Sequence, residues 1–390
     1  MKVLHTVQGL GARLGGLSGC TSELLSALQN GEDTFELLTL AQTDGDKSLG
    51  EGAIWYKPVE NDGLTSFNFS RNAARQLRQS QYDIYHIHGL WQHIGHLACH
   101  TARHNRKPYV ISPHGMLYPA ALKVSYRKKL PLLKLWFERD IMEAACLIAT
   151  CDEEQEHIRR FGYTGPIAKL SNPVNIPSVT GQLLARRRET IDTEPTGRRR
   201  IGFLGRLHHI KRLDLLLQGL ALSRHRDDIE LVIMGEGDET YMRSLRDLIT
   251  HLKLDGNVVF KGFVSGDDKY RQLARLSALF VTSDTENFGV IVPEALLVGI
   301  PVFASINTPW HDLEKYNCGW WRSNSPESIA EVIDSLFTLS PSELLEMGAR
   351  GRTLIVRQYE SSTVASGMRL LYNWIAGKAD KPGFVDTLIR

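Results

Sequence analysis

IGFLGRLHHIKRLDLLLQGLALSRHRDDIELVIMGEG, residues 201–237, runs from a short apolar segment through a glycine turn and a helix-like stretch to a second apolar segment. Ile201–Leu204 reads as a strand, Leu213–Ala221 as a helix and Glu230–Met234 as the next strand. Repeated strand–helix–strand units build a parallel sheet with its ligands at the carboxyl ends of the strands. The alternation continues with a helix at Tyr241–Leu252, strands at Val258–Lys261 and Leu279–Thr282, a helix near Pro293–Val298 and a strand at Pro301–Ala304. It also fills the first half. Strands are expected at Lys2–Val7, Phe35–Leu40, Asp83–His88, Pro108–Ser112 and Ala145–Thr150, and a helix from Ser18 or Thr21 places Leu24, Leu25 and Leu28 on one face.

Between these halves the pattern stops. Ser171-Asn172-Pro173-Val174-Asn175-Ile176-Pro177 is turn chemistry, and a polar stretch follows, bracketed by Arg186–Arg188 and Arg198–Arg200. The chain therefore divides into an α/β domain at 1–175, a linker at 176–200 and a second α/β domain at 201–360. A helix and tail at 361–390 are expected to pack back on the first domain. A length of 390 residues suits two domains at roughly 100–200 residues each, and 42% hydrophobic residues supply two cores.

A formal charge of +2 is too small for a protein that holds nucleic acid by neutralising phosphates. The triple arginines read as solvated linker charge, with no aromatic stacking platform between them. Five cysteines, scattered and without a C-x-x-C pair, fit a reducing compartment rather than a disulfide framework or thiolate zinc site. The opening residues lack the apolar run of a signal peptide. The most apolar long window, 289–305, carries Glu294, Pro293 and Pro301 and falls short of the roughly 20 residues that span a bilayer. A cytoplasmic protein is expected.

Three places suit chemistry. The turn Gly9-Leu10-Gly11-Ala12-Arg13-Leu14-Gly15-Gly16 follows a strand and opens a helix, where backbone amides approach anions. Leu14 stands where a dinucleotide fingerprint needs its third glycine, which counts against a Rossmann oxidoreductase. Arg206 and Lys211 sit in one loop after a strand, and fixed positive charge with planar donors suits a diphosphate; a solvated basic loop is the alternative. In Glu286-Asn287-Phe288-Gly289-Val290-Ile291-Val292-Pro293-Glu294, two carboxylates flank a glycine turn. Glu294, inside an apolar helix, calls for a hydrogen-bonding ligand or a cationic partner.

Taken together, Gly205-Arg206…Lys211…Asp214-Leu215-Leu216, Val232-Ile233-Met234-Gly235-Glu236-Gly237 and the pair Glu286/Glu294 resemble the retaining glycosyltransferases of family 4. The resemblance extends to Gly15-Gly16, to Ser112-Pro113-His114-Gly115 and to Ser171-Asn172-Pro173-Val174-Asn175, and so covers nearly the whole chain. It implies the GT-B fold, two doubly wound Rossmann-like domains facing across a cleft. It implies that Arg206 and Lys211 hold the donor diphosphate, that Glu294 bonds the ribose, and that Glu286, Asn287, Phe288 and Gly289 hold the transferring sugar. By the same resemblance the amides of Val290 and Ile291 reach the phosphate, Gly262, Phe263 and Val264 meet the base, and Gly16 lies near phosphate and acceptor. His114 approaches the sugar from the first domain, and Gly15, His86 and His88 fall on the acceptor side. The chain departs from the family at Arg212, where glycine often follows the lysine.

The implied reaction is transfer of a sugar from a UDP- or GDP-sugar, with retention and without a divalent metal or other cofactor. The implied acceptor is a glycan or a lipid-linked glycan in surface polysaccharide or lipopolysaccharide assembly. A nucleotide-sugar epimerase of related architecture and a non-catalytic glycan-binding protein are the competing readings. His93, His96, His100 and His104 fall at helical spacing, but no cysteine or carboxylate is interleaved to make a zinc site, and no metal is expected. Lys123–Phe137 mixes lysines with Leu133, Trp136 and Phe137; it suits either an anionic membrane surface or a core helix with its lysines in water.

Overall fold

Near-continuous apolar runs make central strands when helices cover both faces of a parallel sheet. The computed structural model describes residues 1–11, 16–41, 47–60, 62, 68–124, 130–190 and 197–387. Gly15, Lys128 and Lys129 lie outside the described residues. The chain falls into two units, Met1–Asn175 with Tyr359–Arg390, and Ile176–Gln358.

The described strands of the first half are β1 (Lys2–Thr6), β2 (Thr34–Leu40), β3 (Tyr56–Val59), β4 (Ile84–His88), β5 (Tyr109–Ser112), β6 (Cys146–Ala149) and β7 (Ile167–Lys169). Those that follow are β8 (Arg199–Leu204), β9 (Ile229–Met234), β10 (Val258–Gly262), β11 (Ala278–Val281), β12 (Val302–Ser305), β13 (Gly319–Arg322) and β14 (Val385–Asp386). The first unit's sheet runs β14-β7-β6-β5-β4-β1-β2-β3, and the second unit's runs β10-β9-β8-β11-β12-β13. Every pairing between these strands is parallel except that of β14, which lies antiparallel to β7. Both sheets grow outward from their first strand in one direction and then the other, which is the doubly wound order. The reversal falls between β1 and β4 in the first unit and between β8 and β11 in the second.

In the first unit the helix Gly16–Leu28 buries Thr21, Leu24, Leu25 and Leu28 in one core with Val364, Ala365, Met368, Leu371 and Tyr372 of the helix Ser361–Ile375. The tail thus completes the first unit's core and adds β14 to its sheet. In the second unit Gly219 lets the helix Leu213–Leu222 approach Pro326–Leu336, since a Cβ there would stand 2.4 Å from Ile329 Cγ2.

The segment 176–200 is not a linker. It carries a helix, Val179–Thr190, and β8 already begins at Arg199. Nor are the described arginines of its two triplets simply solvated. Arg187 is buried and donates to Ala274 O at 3.2 Å and Leu276 O at 2.6 Å. Arg198 donates to Gly256 O at 2.7 Å, Arg199 to Leu336 O, and Arg200 pairs with Glu230 at 2.6 Å. The segment looked like a linker because its charge answers backbone carbonyls far along the chain.

At the carboxyl end of the second sheet, three loops are stitched together. Gly205 N donates to Met234 O at 2.9 Å, Leu207 N to Glu236 O at 2.8 Å and Gly235 N to Gly262 O at 2.8 Å. The approach is so close that a Cβ on Gly235 would lie 1.8 Å from Gly205 O. Gly235→Ala is therefore expected to destabilise the protein by about 1–3 kcal/mol, the usual cost of forced overpacking. Gly256→Ala, which meets nothing within 4 Å, serves as the control. Equal midpoints for the two variants in denaturant unfolding would contradict the close approach.

Candidate functional site

The strand reversal in the second unit sends the loops after β8 and β11 to opposite faces and leaves an opening between them. Into it fold the short turn His209–Lys211 and residues 282–290. Thr282 Oγ1 donates to the carbonyls of Lys211 and Arg212 at 2.9 and 3.1 Å, and Asp284 N donates to Ile210 O at 2.8 Å. This fixes the backbone from which Lys211 extends. Its ammonium pairs with Glu286 Oε1, which also accepts from Ser283 Oγ at 2.7 Å. The structure thus joins Lys211 and Glu286, while Arg206 is exposed in the same loop with no ion-pair partner among the described residues.

Arg212 occupies the left-handed region with φ +49°. That is the conformation glycine adopts most freely, so the expected local departure leaves the turn's shape in place and adds side-chain bonds. The guanidinium holds Asp214 at 3.0 Å and Asp284 at 3.2 Å, tying the loop to the start of the helix Leu213–Leu222 and to the turn after β11.

The turn 287–290 is equally fixed. Phe288 is buried, its carbonyl accepts from Trp310 Nε1, and its ring lies 5.3 Å from that of Trp310. Gly289 has φ +71°. The chain then enters the helix Ile291–Leu297, with Val290 at its start. Glu294 finds its partner in Lys269, whose ammonium lies 2.5 Å from Oε1. Burial pushes the Glu294 carboxyl up from its ordinary value, and Lys269 works against that push. Lys269 belongs to the helix Gly266–Leu273, 25 residues away, and no local pattern announces it. Gly262, Phe263 and Val264 follow β10; Gly262 has φ +70° and Phe263 is 68% exposed, an apolar ring offered to solvent.

The first unit places its chemistry at its own reversal. Paired residues on parallel neighbours share a face, as do residues two apart on one strand. His5 pairs with His86, and His88 with Ser112, so four polar side chains of β1, β4 and β5 point to one face. His5 Nδ1 lies 2.9 Å from His88 Nε2, and His88 Nδ1 lies 3.2 Å from His114 Nε2. Tyr372 OH lies 3.3 Å from His5 Nε2 and 2.7 Å from His86 Nδ1, and His86 Nε2 lies 2.8 Å from Ser112 Oγ. His86 has no exposed surface and both its nitrogens are bonded, so no atom of it is open to an acceptor.

Burial lowers His5 to about 3 and His114 to about 4, and holds His86 and His88 well below the ordinary value, so all four rings are neutral. Among the described residues, His5, His86 and His88 are also the one group whose nitrogens lie close enough for a shared metal, but each is already engaged in this hydrogen bonding. His93 Nδ1 accepts from Ser70 N, and His96 Nδ1 pairs with Asp140 at 2.7 Å.

His114 itself has φ +51°, an uncommon conformation for a non-glycine residue. A buried carboxylate steadies it. Glu154 accepts from Gly115 N at 2.5 Å, from Thr150 N at 2.8 Å and from Thr150 Oγ1 at 2.7 Å. His88, Ser112 and His114 line a pocket of about 20 Å³, room for roughly one water, together with Thr150, Ser171 and Asn172. Sequence reasoning had His86, His88 and His114 but not His5, Tyr372 or Glu154. The every-second-residue spacing of His86 and His88 was the one visible hint of a shared face.

Two family models match the chain: Glycosyltransferase Family 4 over residues 14–177 and Glycosyl transferases group 1 over residues 187–353. The chain belongs to glycosyltransferase family 4. Among curated members of this kind, it is 32% identical over 139 residues to an uncharacterized glycosyltransferase of Methanocaldococcus jannaschii, a match covering 35% of each chain. It is 28% identical over 191 residues to a phosphatidyl-myo-inositol mannosyltransferase of Mycobacterium leprae, covering 46% of this chain and 47% of that one. The matches thus span about half or less of these relatives' lengths. The fold of this family 4 chain is that of Anabaena HepE, solved with UDP and glucose, at a TM-score of 0.73 and 18% identity over 96% of this chain and 100% of that one.

The buried rings set a pH dependence. Their folded pKa values lie below the unfolded value of about 6.5, so the stability they contribute is present above pH 6.5 and is lost as pH falls toward 4. Each costs about 1.4 kcal/mol per pH unit in that window. Glu23, Glu154 and Glu294, raised by burial, act in the opposite sense, but they are three against these four rings and His93, which burial lowers to about 4. The melting temperature should fall from pH 6.5 to 5, with net proton uptake on unfolding. A level melting temperature across that range would show that the rings are not held neutral.

Proposed function

We propose that the chain is a retaining, metal-independent glycosyltransferase, moving a sugar from a UDP- or GDP-sugar to a glycan or lipid-linked acceptor in surface polysaccharide assembly. The observation that carries this reading is the Lys211–Glu286 pair, locked by Thr282 and Ser283 at the strand reversal of the second unit. Lys211 and the exposed Arg206 supply fixed positive charge for a departing diphosphate. Electrostatic stabilisation of that kind is a large term in transfer reactions and needs no metal. Glu286 is then the contact to the transferring sugar, and Glu294, with Oε1 held by Lys269, offers Oε2 to the ribose. The turn 287–290 orients the sugar, and Gly262, Phe263 and Val264 receive the base. His114 is the first unit's acid–base group. HepE is solved with UDP, and the Mycobacterium relative is a phosphatidyl-myo-inositol mannosyltransferase.

The test is nucleotide release from a panel of sugar nucleotides, with and without acceptor, in the presence of EDTA. Acceptor-dependent release in EDTA is expected; release of an altered sugar without acceptor would replace this reading with an epimerase. On the cognate donor, Glu286→Ala should lower kcat by at least about 100-fold, the scale of one lost transition-state contact. It should not weaken binding of the free nucleoside diphosphate, because it leaves the Lys211 ammonium unpaired. Glu294→Ala should raise donor KM and nucleotide Kd together. Equal loss of nucleotide binding in both variants, measured by calorimetry on folded protein, would show that the roles are wrongly divided.

A peripheral membrane contact on the cytoplasmic face belongs to the same proposal. No described helix is long and apolar enough to cross a membrane. Phe137 is core, packed on Trp91, and Trp136 stacks on His96 at 4.9 Å. Val124 and Leu135, however, are 64% and 69% exposed beside Lys123 and Lys134. Apolar side chains among lysines suit anionic headgroups. Replacing Lys134 by Glu and Leu135 by Ala should reduce co-sedimentation with vesicles containing phosphatidylglycerol; unchanged sedimentation removes the contact.

A further inference from the structure

The hydrogen bonds around His88 form a single unbranched chain: His114, His88, His5, Tyr372, His86, Ser112. His88, His5 and His86 each enter it through Nδ1 on one side and Nε2 on the other; His114 enters through Nε2 at one end, and the Ser112 hydroxyl stands at the other. A neutral ring has one N–H and one bare nitrogen. If His114 is protonated on Nε2 it donates to His88 Nδ1, which obliges His88 to carry its proton on Nε2, and so on through Tyr372 to His86 Nε2 and Ser112. The reverse polarity starts from the Ser112 hydroxyl and puts every proton on Nδ1. Any mixture sets two N–H groups against each other or leaves a buried pair with no proton between them, at about 1–3 kcal/mol per unsatisfied group.

We propose that these six side chains are one proton wire, in which the four histidines change tautomer together and His114 takes up a proton at Nδ1 without becoming an imidazolium. The step balances. A proton arrives at His114 Nδ1, and the His114 Nε2 proton passes to His88 Nδ1. The His88 Nε2 proton passes to His5 Nδ1, and the His5 Nε2 proton to the Tyr372 oxygen. The Tyr372 proton passes to His86 Nδ1, the His86 Nε2 proton to Ser112 Oγ, and the former Ser112 hydroxyl proton leaves. His114 and Ser112 line the same pocket, so the proton enters and leaves at one place.

The surroundings favour a neutral wire. Cys20, from the helix Gly16–Leu28, lines the pocket with its thiol pushed up to about 12 by burial. Burial holds the Tyr372 phenol well above its ordinary value, and the Glu154 carboxylate is spent on Gly115 and Thr150. Among the described residues no carboxylate is hydrogen-bonded to any of these four rings. In the transfer reaction proposed above, on which this consequence rests, His114 is thereby a base or acid at no cost in buried charge. His5, His86, His88 and Tyr372 are positioning residues that set which it is.

The full-length chain labelled with [15N]histidine tests the wire without any substrate, so its outcome is independent of whether glycosyl transfer is found. Long-range proton–nitrogen correlation spectra distinguish a protonated from a bare ring nitrogen. At pH 7 the four buried rings are expected to be neutral and alike, all Nε2–H or all Nδ1–H. In Tyr372→Phe, His5, His88 and His114 should remain alike while His86 is uncoupled from them. Ser112→Ala, at the end of the chain, should alter the tautomer balance at His114 and gives the same reading if the tyrosine variant does not fold. Mixed tautomers in the unaltered protein, or a His114 signal indifferent to both substitutions, would overturn the wire. So would one tightly bound zinc per chain, because a metal-bound nitrogen carries no proton. If transfer is found, Tyr372→Phe should lower kcat about 10-fold or more with donor KM unchanged, within the scale of acid–base contributions.

Discussion

Two parallel sheets wound outward from a central pair of strands impose one constraint on everything else. At β1/β4 and at β8/β11 the chain must leave neighbouring strands toward opposite faces, so no connection covers the strand ends there. Elsewhere the interior is largely apolar, and the charged groups buried in it, such as Asp140 and Arg187, are bonded directly. At these two reversals the backbone is rigid, because the strands are held on both sides, yet the ends are open to polar side chains. Lys211 and Glu286 occupy one reversal, and His5, His86 and His88 the other. The same topology in each unit serves two kinds of chemistry: fixed charge in the second, neutral hydrogen-bonded rings in the first.

The contrast follows from partners. Lys211 and Glu286 keep part of their surface in solvent and neutralise each other at short range. Among the described residues the four histidines have no counter-ion, and desolvation keeps them uncharged. Glu154 and Glu294 show two ways of burying a carboxylate. Glu154 accepts backbone and hydroxyl donors, whereas Glu294 pairs with a lysine. Both arrangements meet the cost of removing charge from water by direct bonding.

The central strands were legible because parallel strands covered on both faces are apolar along their length. Lys2–Thr6, Ile84–His88 and Ile229–Met234 announce themselves within a residue or two of their observed limits. The strands that escaped notice are short or lie toward the sheet edges. Tyr56–Val59 carries Lys57 and Pro58 on an edge, where a missing amide is tolerated, and Val385–Asp386 has only two residues. The helix Val179–Thr190 was hidden by Gly181 and its arginines. In the candidate site the sequence drew attention to residues close along the chain, Arg206 with Lys211 and Glu286 with Glu294, whereas the structure pairs Lys211 with Glu286 and Glu294 with Lys269. Lys269, His5 and Tyr372 left no mark in the sequence, since each meets its partner across a span that only the folded chain closes. Tyr372 bonds a histidine 286 residues earlier, and no periodicity encodes such a distance.

The return of the chain to its first unit has a bearing on biosynthesis. Val174 N donates to Tyr359 O at 2.8 Å and Ser361 N to Val174 O at 3.1 Å, so the outgoing and returning strands of this unit are sewn to one another. A ribosome delivers residues 1–175 long before 359–387. Until that last stretch emerges, the first sheet lacks β14, the apolar face of Gly16–Leu28 is uncovered, and His5 and His86 lack the hydroxyl between them. The nascent first unit therefore presents a sticky, incompletely bonded surface throughout synthesis of the second, the condition under which chaperone binding competes with aggregation.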